Sequence, residues 1–537
     1  MNPAMGKALG PGGRLVISMA ATLLLVASAW GRDLAVDPSD TPQRARWNSV
    51  VPLPVSALEA AEDWSLGTVV TVGWGPVRGT ERETLSNRLT KILAPLGRTW
   101  KPASDGAQLA FSDQGGSGEG YSLTVSPRGA VIGSSDPAGR FYGLITLTQL
   151  LPTGARPGEA VMAAGGTVDD RPAFSWRGLM LDSSRHFQSV ETLEWVLELM
   201  ALHKLNRFHW HLTDDQGWRL EVPGWPKLTE VGAWRTEDGH RVGGWYSAAD
   251  VRRVVDFAAR RHIVVVPEVD LPGHASAALA AYPELSALGT PRDVPTDWGV
   301  SDGVVSLGRA SVRRFTGDVL ATLTGLFPGP WIHWGGDEVY RSPWLKNPES
   351  LEWMRRRGLV SAPQAVAAFW KDLADQTVAA GRIPIGWDEV AAFGLPPQAV
   401  VQWWDNADRA LTALRAGHPL ISSWKETSYL DYPETGGDGG RAFWMPLHPV
   451  DRTSQHPLWP PGTPDELRPL VGGLEAGLWT ERAPEPRLGV KLFPRLAVLA
   501  ELAWRGVPGD VPGWEGRLSQ HRERLEAWGV GMASAVR

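Results

Sequence analysis

Short apolar segments alternate with amphipathic segments through the last two thirds of the chain, which is typical of a parallel sheet covered by helices. One amphipathic segment follows Ser189, where Leu193, Val196 and Met200 recur at helical spacing on one face. Eight apolar segments predict strands, and their bounds are Arg177 to Ser183, Phe208 to Asp214, Ile263 to Asp270, Trp331 to Glu338, Ile383 to Glu389, Ala399 to Asp405, Pro419 to Trp424 and Gly472 to Trp479. Because eight parallel strands close a TIM barrel, we expect a (β/α)8 barrel over residues 170–507.

A smaller α/β domain is predicted before the barrel, over residues 48–169. Apolar and polar residues alternate from Tyr121 to Val125, which indicates a strand, and Asp136-Pro137 is a helix-start signal. This part of the sequence contains no cluster of residue types suited to catalysis. After the barrel, residues 508–537 are predicted to form a helical tail.

The amino-terminal residues 1–29 have the layout of a secretory signal peptide. Two basic residues precede an apolar run from Leu15 to Val26, and the small residues Ala27-Ser28-Ala29 follow it. Residues 30–47 are polar and contain proline, so we interpret them as a linker. The alternative is a permanent membrane anchor, which normally needs about 20 apolar residues, more than this run has. We therefore expect export to the periplasm or the extracellular space.

Composition and charge exclude several classes of function. The 537 residues carry a formal net charge of −6, and both signs are spread along the chain. Without a basic face we expect no nucleic-acid partner, and we expect no stable membrane association beyond a possible uncleaved signal anchor. The chain has no cysteine, which excludes both disulfides and a thiol nucleophile.

Acidic and aromatic residues gather where the predicted barrel strands end. The strand ends carry Arg185, Asp214-Asp215, Asp270 with His274, Asp337-Glu338, Trp387-Asp388, Trp403-Trp404, Tyr429-Leu430-Asp431, and Trp479 with Glu481. The active site of a TIM barrel lies at the carboxyl ends of its strands. We therefore predict one site to which all of these segments contribute.

The segment His333 to Glu338 is the most informative, because a strand runs directly into two glycines and then two acids. Neighbouring side chains of a regular strand point to opposite faces, so Asp337 and Glu338 can address one ligand only where the strand breaks down. Glycoside cleavage needs an acid to protonate the departing oxygen and a second group to stabilise positive charge on the sugar. The alternative is a helix N-cap beside an ordinary surface acid.

Four long motifs resemble the β-N-acetylhexosaminidases of glycoside hydrolase family 20. In chain order these motifs are Arg177–His186, His209–Arg219, Pro267–His274 and Gly335–Glu338. The resemblance implies a substrate-assisted retaining mechanism on N-acetylated amino-sugar glycosides, in which the 2-acetamido oxygen attacks the anomeric carbon. It implies neither a cofactor nor a metal.

The same resemblance implies roles for five residues. Glu338 would be the general acid and later the general base. Asp337 would orient the acetamido group, and Tyr429 would hydrogen-bond the acetamido oxygen. Asp214 and His274 resemble a polar relay behind Glu338, although a buried histidine is more often only a satisfied core residue.

Further residues resemble the family's sugar-binding groups. Arg185, Asp431 and Glu481 would hold ring hydroxyls, which favours an exo-acting pocket, and Trp387, Trp404 and Trp479 would form its aromatic walls. Arg185 could instead form only an ion pair with Asp182, Asp215 could pair with Arg219, and any single tryptophan is more often core. Strand alternation assigns Trp403 to the core.

Two rival functions remain open on the sequence. A metal-dependent barrel hydrolase is one, because His209 and His211 lie on one strand face. The other is a sugar-binding relative that has lost catalysis. The sequence also departs from the family pattern at Ser306–Ala310 and at Trp334, which affects the expected loop geometry but removes no catalytic group.

Overall fold

The computed structural model describes residues 47–116, 118–156, 158–436, 445–507 and 514–530. The predicted signal peptide and all of the predicted linker except Trp47 lie outside these residues. Among the described residues, no helix is both long enough and apolar enough to cross a membrane.

A mixed seven-stranded sheet forms the amino-terminal domain. The strands of this domain are β1 Ser56–Glu59, β2 Trp64–Leu66, β3 Val69–Gly73, β4 Thr99–Pro102, β5 Leu109–Ser112, β6 Tyr121–Ser126, β7 Gly129–Gly133, β8 Val161–Ala163 and β9 Gly166–Asp170. The sheet order is β1-β9-β6-β7-β5-β3-β4, and β2 pairs separately with β8. Helices α1 (Gly79–Leu93) and α2 (Pro137–Gln149) belong to this domain, and the Asp136 side chain caps α2 by accepting from the Ala138 amide.

The second domain is a closed barrel of eight parallel strands, which confirms the predicted fold. Strands in this part of the chain are β10 Trp176–Asp182, β11 Arg207–His211, β12 Thr213–Asp214, β13 Gly217–Trp218, β14 Trp234–Glu237, β15 His240–Gly243, β16 Val264–Glu268, β17 Trp331–His333, β18 Ile383–Trp387, β19 Val400–Trp403, β20 Leu420–Ser422 and β21 Val471–Leu478. The barrel order is β10-β11-β16-β17-β18-β19-β20-β21, and β21 pairs with β10 to close it.

Helices cover the barrel as the sequence pattern indicates. The helices after the first domain are α3 Val190–Leu202, α4 Lys227–Glu230, α5 Ala248–Ala259, α6 Ser276–Ala281, α7 Ala310–Leu326, α8 Pro348–Arg356, α9 Ala362–Ala379, α10 Ala407–Arg415, α11 Lys425–Ser428, α12 Val450–Ser454, α13 Leu488–Leu492, α14 Arg495–Arg505 and α15 Trp514–Ala527. Leu193, Val196 and Met200 of α3 are fully buried, which matches their predicted shared face. Helix α15 lies in the predicted carboxyl-terminal tail.

A buried polar cluster around Asp170 joins the two domains. Its carboxylate accepts from the Tyr121 hydroxyl at 2.7 Å, from the Lys204 ammonium at 3.2 Å and from the Trp504 indole N–H at 2.9 Å. Asp170 and Tyr121 belong to the first domain, whereas Lys204 and Trp504 belong to the second. Removing one partner of such a buried set would leave a charge unpaired, so the cluster fixes the barrel against the sheet.

The predicted strand Trp331 to Glu338 is too long, because β17 ends at His333. Gly335 and Gly336 follow with φ values of 58° and 98°, a backbone region that does not continue a strand. The two acids therefore lie on a loop beyond the strand. The other predicted barrel strands differ from the observed ones by a few residues at their ends.

Candidate active site

A cavity of about 420 Å³ opens at the carboxyl ends of the barrel strands. It is lined by every predicted site residue except Trp387, namely Arg185, Asp214, His274, Asp337, Glu338, Trp404, Tyr429, Asp431, Trp479 and Glu481. Residues separated by almost 300 positions in sequence thus meet at one place. The barrel topology accounts for this convergence, because parallel strands present all their carboxyl ends on one face.

The turn that carries Asp337 and Glu338 is held by Asp270. Its Oδ1 accepts a hydrogen bond from the Gly336 amide at 3.0 Å. A Cβ added to Gly335 would lie 1.8 Å from the same oxygen, so only glycine fits there. Glu338 itself has a φ of 46°, a strained conformation of the kind often found at functional sites.

The two neighbouring acids occupy different environments. The Asp337 side chain is 11% exposed, whereas the Glu338 side chain is 41% exposed. Burial and the nearby Asp270 carboxylate raise the pKa of Asp337 well above its ordinary value, and burial also raises the pKa of Asp270 to about 7. Asp337 therefore tends to hold a proton when no ligand is bound, and a positive charge developing beside it would favour its ionised form.

His274 lies between the acids and Asp214. Its Nδ1 is 3.1 Å from Asp214, and its Nε2 is 3.7 Å from both the Asp337 and the Glu338 carboxylates. Burial opposes a charge on this ring, but the Asp214 carboxylate raises the pKa of His274 well above its ordinary value. Burial likewise opposes a charge on Asp214, yet Arg185 and His274 hold the pKa of that carboxyl well below its usual range. An imidazolium therefore faces Glu338.

Arg185 is fixed on one edge of the cavity by three polar partners. Its guanidinium contacts Asp214 at 2.9 Å and Asp182 at 3.4 Å, and its Nε donates to Gln216 at 3.0 Å. The same group lies 5.0 Å from the centre of the Trp479 ring. The ion pair with Asp182 is thus present, and it does not prevent Arg185 from lining the cavity.

Two carboxyls, the buried Asp431 and the half-buried Glu481, line the cavity together with Arg185. Burial and the neighbouring Glu481 raise the pKa of Asp431 to about 8, and burial also raises the pKa of Glu481. Among the described residues, no hydrogen-bond partner reaches the buried Oδ1 of Asp431. This oxygen can therefore accept a hydroxyl from a ligand.

Aromatic rings form the rest of the cavity wall. Trp404 and Tyr429 are nearly parallel, with ring centres 6.3 Å apart, and Trp479 lies 6.1 Å from Tyr429. Trp387 is 1% exposed and donates its indole N–H to Glu268, so it lies behind Trp479 and does not line the cavity. Trp403 is buried against Trp424, as strand alternation predicts.

Several lining residues were absent from the sequence prediction: Lys425, Glu426, Tyr432 and Pro446. Lys425 and Glu426 directly follow the seventh predicted strand, so the strand-end rule could have found them. Asp270 lies at the end of a predicted strand, but its contact with the Gly335-Gly336 turn depends on tertiary structure. The suggested Asp215–Arg219 pair is wrong, because Asp215 approaches His274 and Arg219 donates to backbone carbonyls.

The arrangement of His209 and His211 differs from that of an open metal site. Both rings lie below the cavity and contact Glu268, and each uses its second nitrogen for another carboxylate, Glu475 or Asp214. Neither histidine lines the cavity. A cation held between them would lie outside the groups that line the cavity, so these two histidines do not support the metal-dependent reading.

Comparison with protein families decides the assignment. The catalytic-domain model of glycosyl hydrolase family 20 matches residues 174–507, and the model of that family's domain 2 matches residues 48–171. The chain belongs to glycosyl hydrolase family 20.

Individual relatives agree with the family 20 assignment. A beta-hexosaminidase of Porphyromonas gingivalis is 38% identical over 77% of this chain, which spans 54% of that relative's length. A beta-hexosaminidase of Akkermansia muciniphila is 35% identical over 75% of this chain and 83% of its own length. The chain thus spans about half of the first relative and most of the second.

Solved structures of family 20 enzymes have the same fold. A β-N-acetylhexosaminidase of Streptomyces coelicolor A3(2) superposes with a TM-score of 0.81 and 32% identity, covering 92% of this chain and 99% of its own. A beta-hexosaminidase mutant of Streptomyces plicatus in complex with GlcNAc gives a TM-score of 0.82 at 30% identity, covering 93% and 99%.

The glycine turn of this family 20 protein gives a direct prediction. Gly335→Ala should lower the kcat/KM of glycoside hydrolysis by about 10²-fold, because the new Cβ would displace Asp270 and move both acids. Gly317→Ala is the matched control, since a Cβ in the middle of α7 meets no atom within 4 Å. Steady-state kinetics of the two variants tests this. A wild-type rate for Gly335→Ala would contradict the need for this turn.

Proposed function

We propose that this protein is an exo-acting, retaining β-N-acetylhexosaminidase. It would release terminal N-acetylglucosamine or N-acetylgalactosamine from glycoconjugates or chitin-type oligosaccharides. The observation that carries the proposal is the pair of unequal neighbouring acids, with Asp337 buried beside Asp270 and Glu338 half-exposed beside His274. The names of the family 20 relatives support the same activity.

The first step forms a bond within the substrate. The 2-acetamido oxygen attacks the anomeric carbon, the bond from that carbon to the departing oxygen breaks, and Glu338 donates its proton to that oxygen. A positive charge develops on the resulting oxazolinium ring. In its ionised form, which this charge favours, Asp337 accepts the acetamido N–H and stabilises the charge, and Tyr429 donates its hydroxyl to the acetamido oxygen.

In the second step Glu338 changes from general acid to general base. Glu338, now a carboxylate, takes a proton from water while the water oxygen attacks the anomeric carbon and opens the oxazolinium ring. Two inversions at one carbon retain its configuration. The His274 imidazolium, 3.7 Å from Glu338, stabilises the carboxylate between the two steps.

Polar groups in the cavity that can bind the hydroxyls of one sugar ring favour release of one terminal sugar. Arg185 donates, whereas Asp431 and Glu481 can accept, so both kinds of hydroxyl hydrogen bond are available. Trp404 and Trp479 offer apolar faces to the ring and the acetamido methyl. Trp387 would support this wall from behind.

Two leaving groups can separate the roles of the acids. 4-Nitrophenolate is a stable anion and leaves with little help from a proton, whereas a sugar leaves readily only when its oxygen is protonated. Glu338→Gln should therefore slow cleavage of chitobiose by about 10²–10⁴-fold and affect the 4-nitrophenyl glycoside far less. Asp337→Asn should slow both substrates by about 10²-fold or more, because it weakens stabilisation of the oxazolinium charge.

The comparison is made on kcat/KM for both substrates and both variants. Equal losses on the two substrates for Glu338→Gln would contradict its role as general acid. Activity of the wild-type protein on neither substrate would reject the proposed function itself.

We also propose that the protein is exported. The support is the sequence pattern of residues 1–29, which lie outside the described residues. Expression of the full chain in a bacterial host should give periplasmic or secreted protein whose new amino terminus lies close after Ala29. Mass spectrometry of that terminus is the test. A cytoplasmic protein that keeps residues 1–29 would contradict export.

A further inference from the structure

A column of alternating carboxylates and imidazoles runs along the barrel interior below the active site. Glu475 contacts Nδ1 of His209 at 2.8 Å, and Nε2 of His209 is 3.0 Å from Glu268. Glu268 also binds Nδ1 of His211, whose Nε2 is 2.9 Å from Asp214. Glu475, His209, Glu268 and His211 therefore form one connected column that ends at Asp214.

The column is unusual for its position. All four side chains are at most 1% exposed, in the barrel interior that branched aliphatic residues usually fill. Buried ion pairs of this kind rarely stabilise a fold more than well-packed apolar residues would. Stability alone therefore does not explain these four residues.

The column carries charges of alternating sign. Although burial opposes a charge on each ring, Glu268 raises the pKa of His209 to about 9 and that of His211 well above its ordinary value. Burial also opposes the charge on Glu268, yet the surrounding histidines hold the pKa of that carboxyl well below its usual range. At neutral pH an anion therefore lies between two cations.

We propose that this column positions Asp214 and keeps its charge balanced, so that His274 presents a fixed positive charge to Glu338 during proton transfer. His211 and Glu268 are thereby positioning residues that never touch the substrate. The proposal rests on the proposed function, since it assigns Glu338 the transfer of a proton. It adds the four residues of the column to the Asp214–His274 pair.

Other charged groups also surround the column and Asp214. Arg185 and His274 face Asp214, Asp215 lies 3.4 Å from His274, and His333 faces Glu268 at 2.9 Å. Asp270 lies close enough to His211 for their charges to interact. Of the cations around Asp214, only His211 belongs to the column, so its loss leaves the carboxylate less neutralised. The surroundings of His274 and Glu338 then become more negative.

Glu268→Gln tests this with little change of shape. The new amide can donate to Nδ1 of His211, which then stays neutral and still donates to Asp214. The alkaline limb of kcat/KM, which reports loss of the acid's proton, should move up, but by less than for loss of the His211 charge alone, because this variant also loses the negative charge of Glu268. Loss of a single unit charge at roughly 10 Å and an effective dielectric constant near 20 corresponds to about one pH unit.

His211→Gln removes the positive charge alone and should move the alkaline limb up by about one pH unit. The control is His456→Gln, because His456 is buried but hydrogen-bonds the hydroxyls of Ser422 and Thr427. The control should lower thermal stability and leave both limbs of the pH profile in place. A merely structural column would make the two test variants behave like the control.

An unmoved alkaline limb in the folded test variants, or a limb moved to lower pH, would overturn the proposal. A neutron structure of the wild-type enzyme at neutral pH provides a test that needs no variant and no activity. It should show deuterium on both ring nitrogens of His211. A neutral His211 ring would overturn the proposal, whereas failure of the proposed function would appear as wild-type protein inactive on N-acetylhexosaminides.

Discussion

Two buried carboxyl groups, Asp337 and Asp270, lie against one glycine turn, and the rest of the site is arranged around their charge. In a poorly solvated interior two like charges cannot both form easily, which is why both pKa values are raised. Asp270 cannot move away, because it binds the Gly336 amide and fills the space beside Gly335. The fold thus raises the proton affinity of Asp337, and a ligand that brings an N–H and a positive charge would favour its ionised form.

This constraint makes the two neighbouring acids, Asp337 and Glu338, unequal. Glu338 is half-exposed at the mouth of the cavity, where it can meet a departing oxygen or a water molecule, whereas Asp337 is buried deeper. The positive charge beside Glu338 belongs to His274, which depends on Asp214 and, in our proposal, on the charged column below it. In the proposed mechanism one acid therefore moves a proton, and the other serves the substrate's own nucleophile.

Most of the fold and most of the residues that line the cavity could be predicted from the sequence, because both follow from local sequence patterns. Eight apolar segments indicated the barrel, and the strand-end rule found ten residues that line the cavity. How deep each side chain lies in the barrel could not be predicted in this way. Trp387 and the histidines His209 and His211 lie below the cavity, and the end of β17 is set by the positive φ of Gly335. These features depend on packing between distant segments, which spacing along one strand does not report.

The central claim is that the substrate's acetamido oxygen, and not a group of the enzyme, attacks the anomeric carbon. The most direct measurement is kcat/KM for aryl glucosaminides whose 2-acetamido methyl carries zero, one, two or three fluorine atoms. Each fluorine withdraws electrons from the amide oxygen, so the account predicts a steep, continuous fall in rate along the series. A rate that does not depend on the number of fluorine atoms would contradict it, because an enzyme nucleophile would be insensitive to the amide.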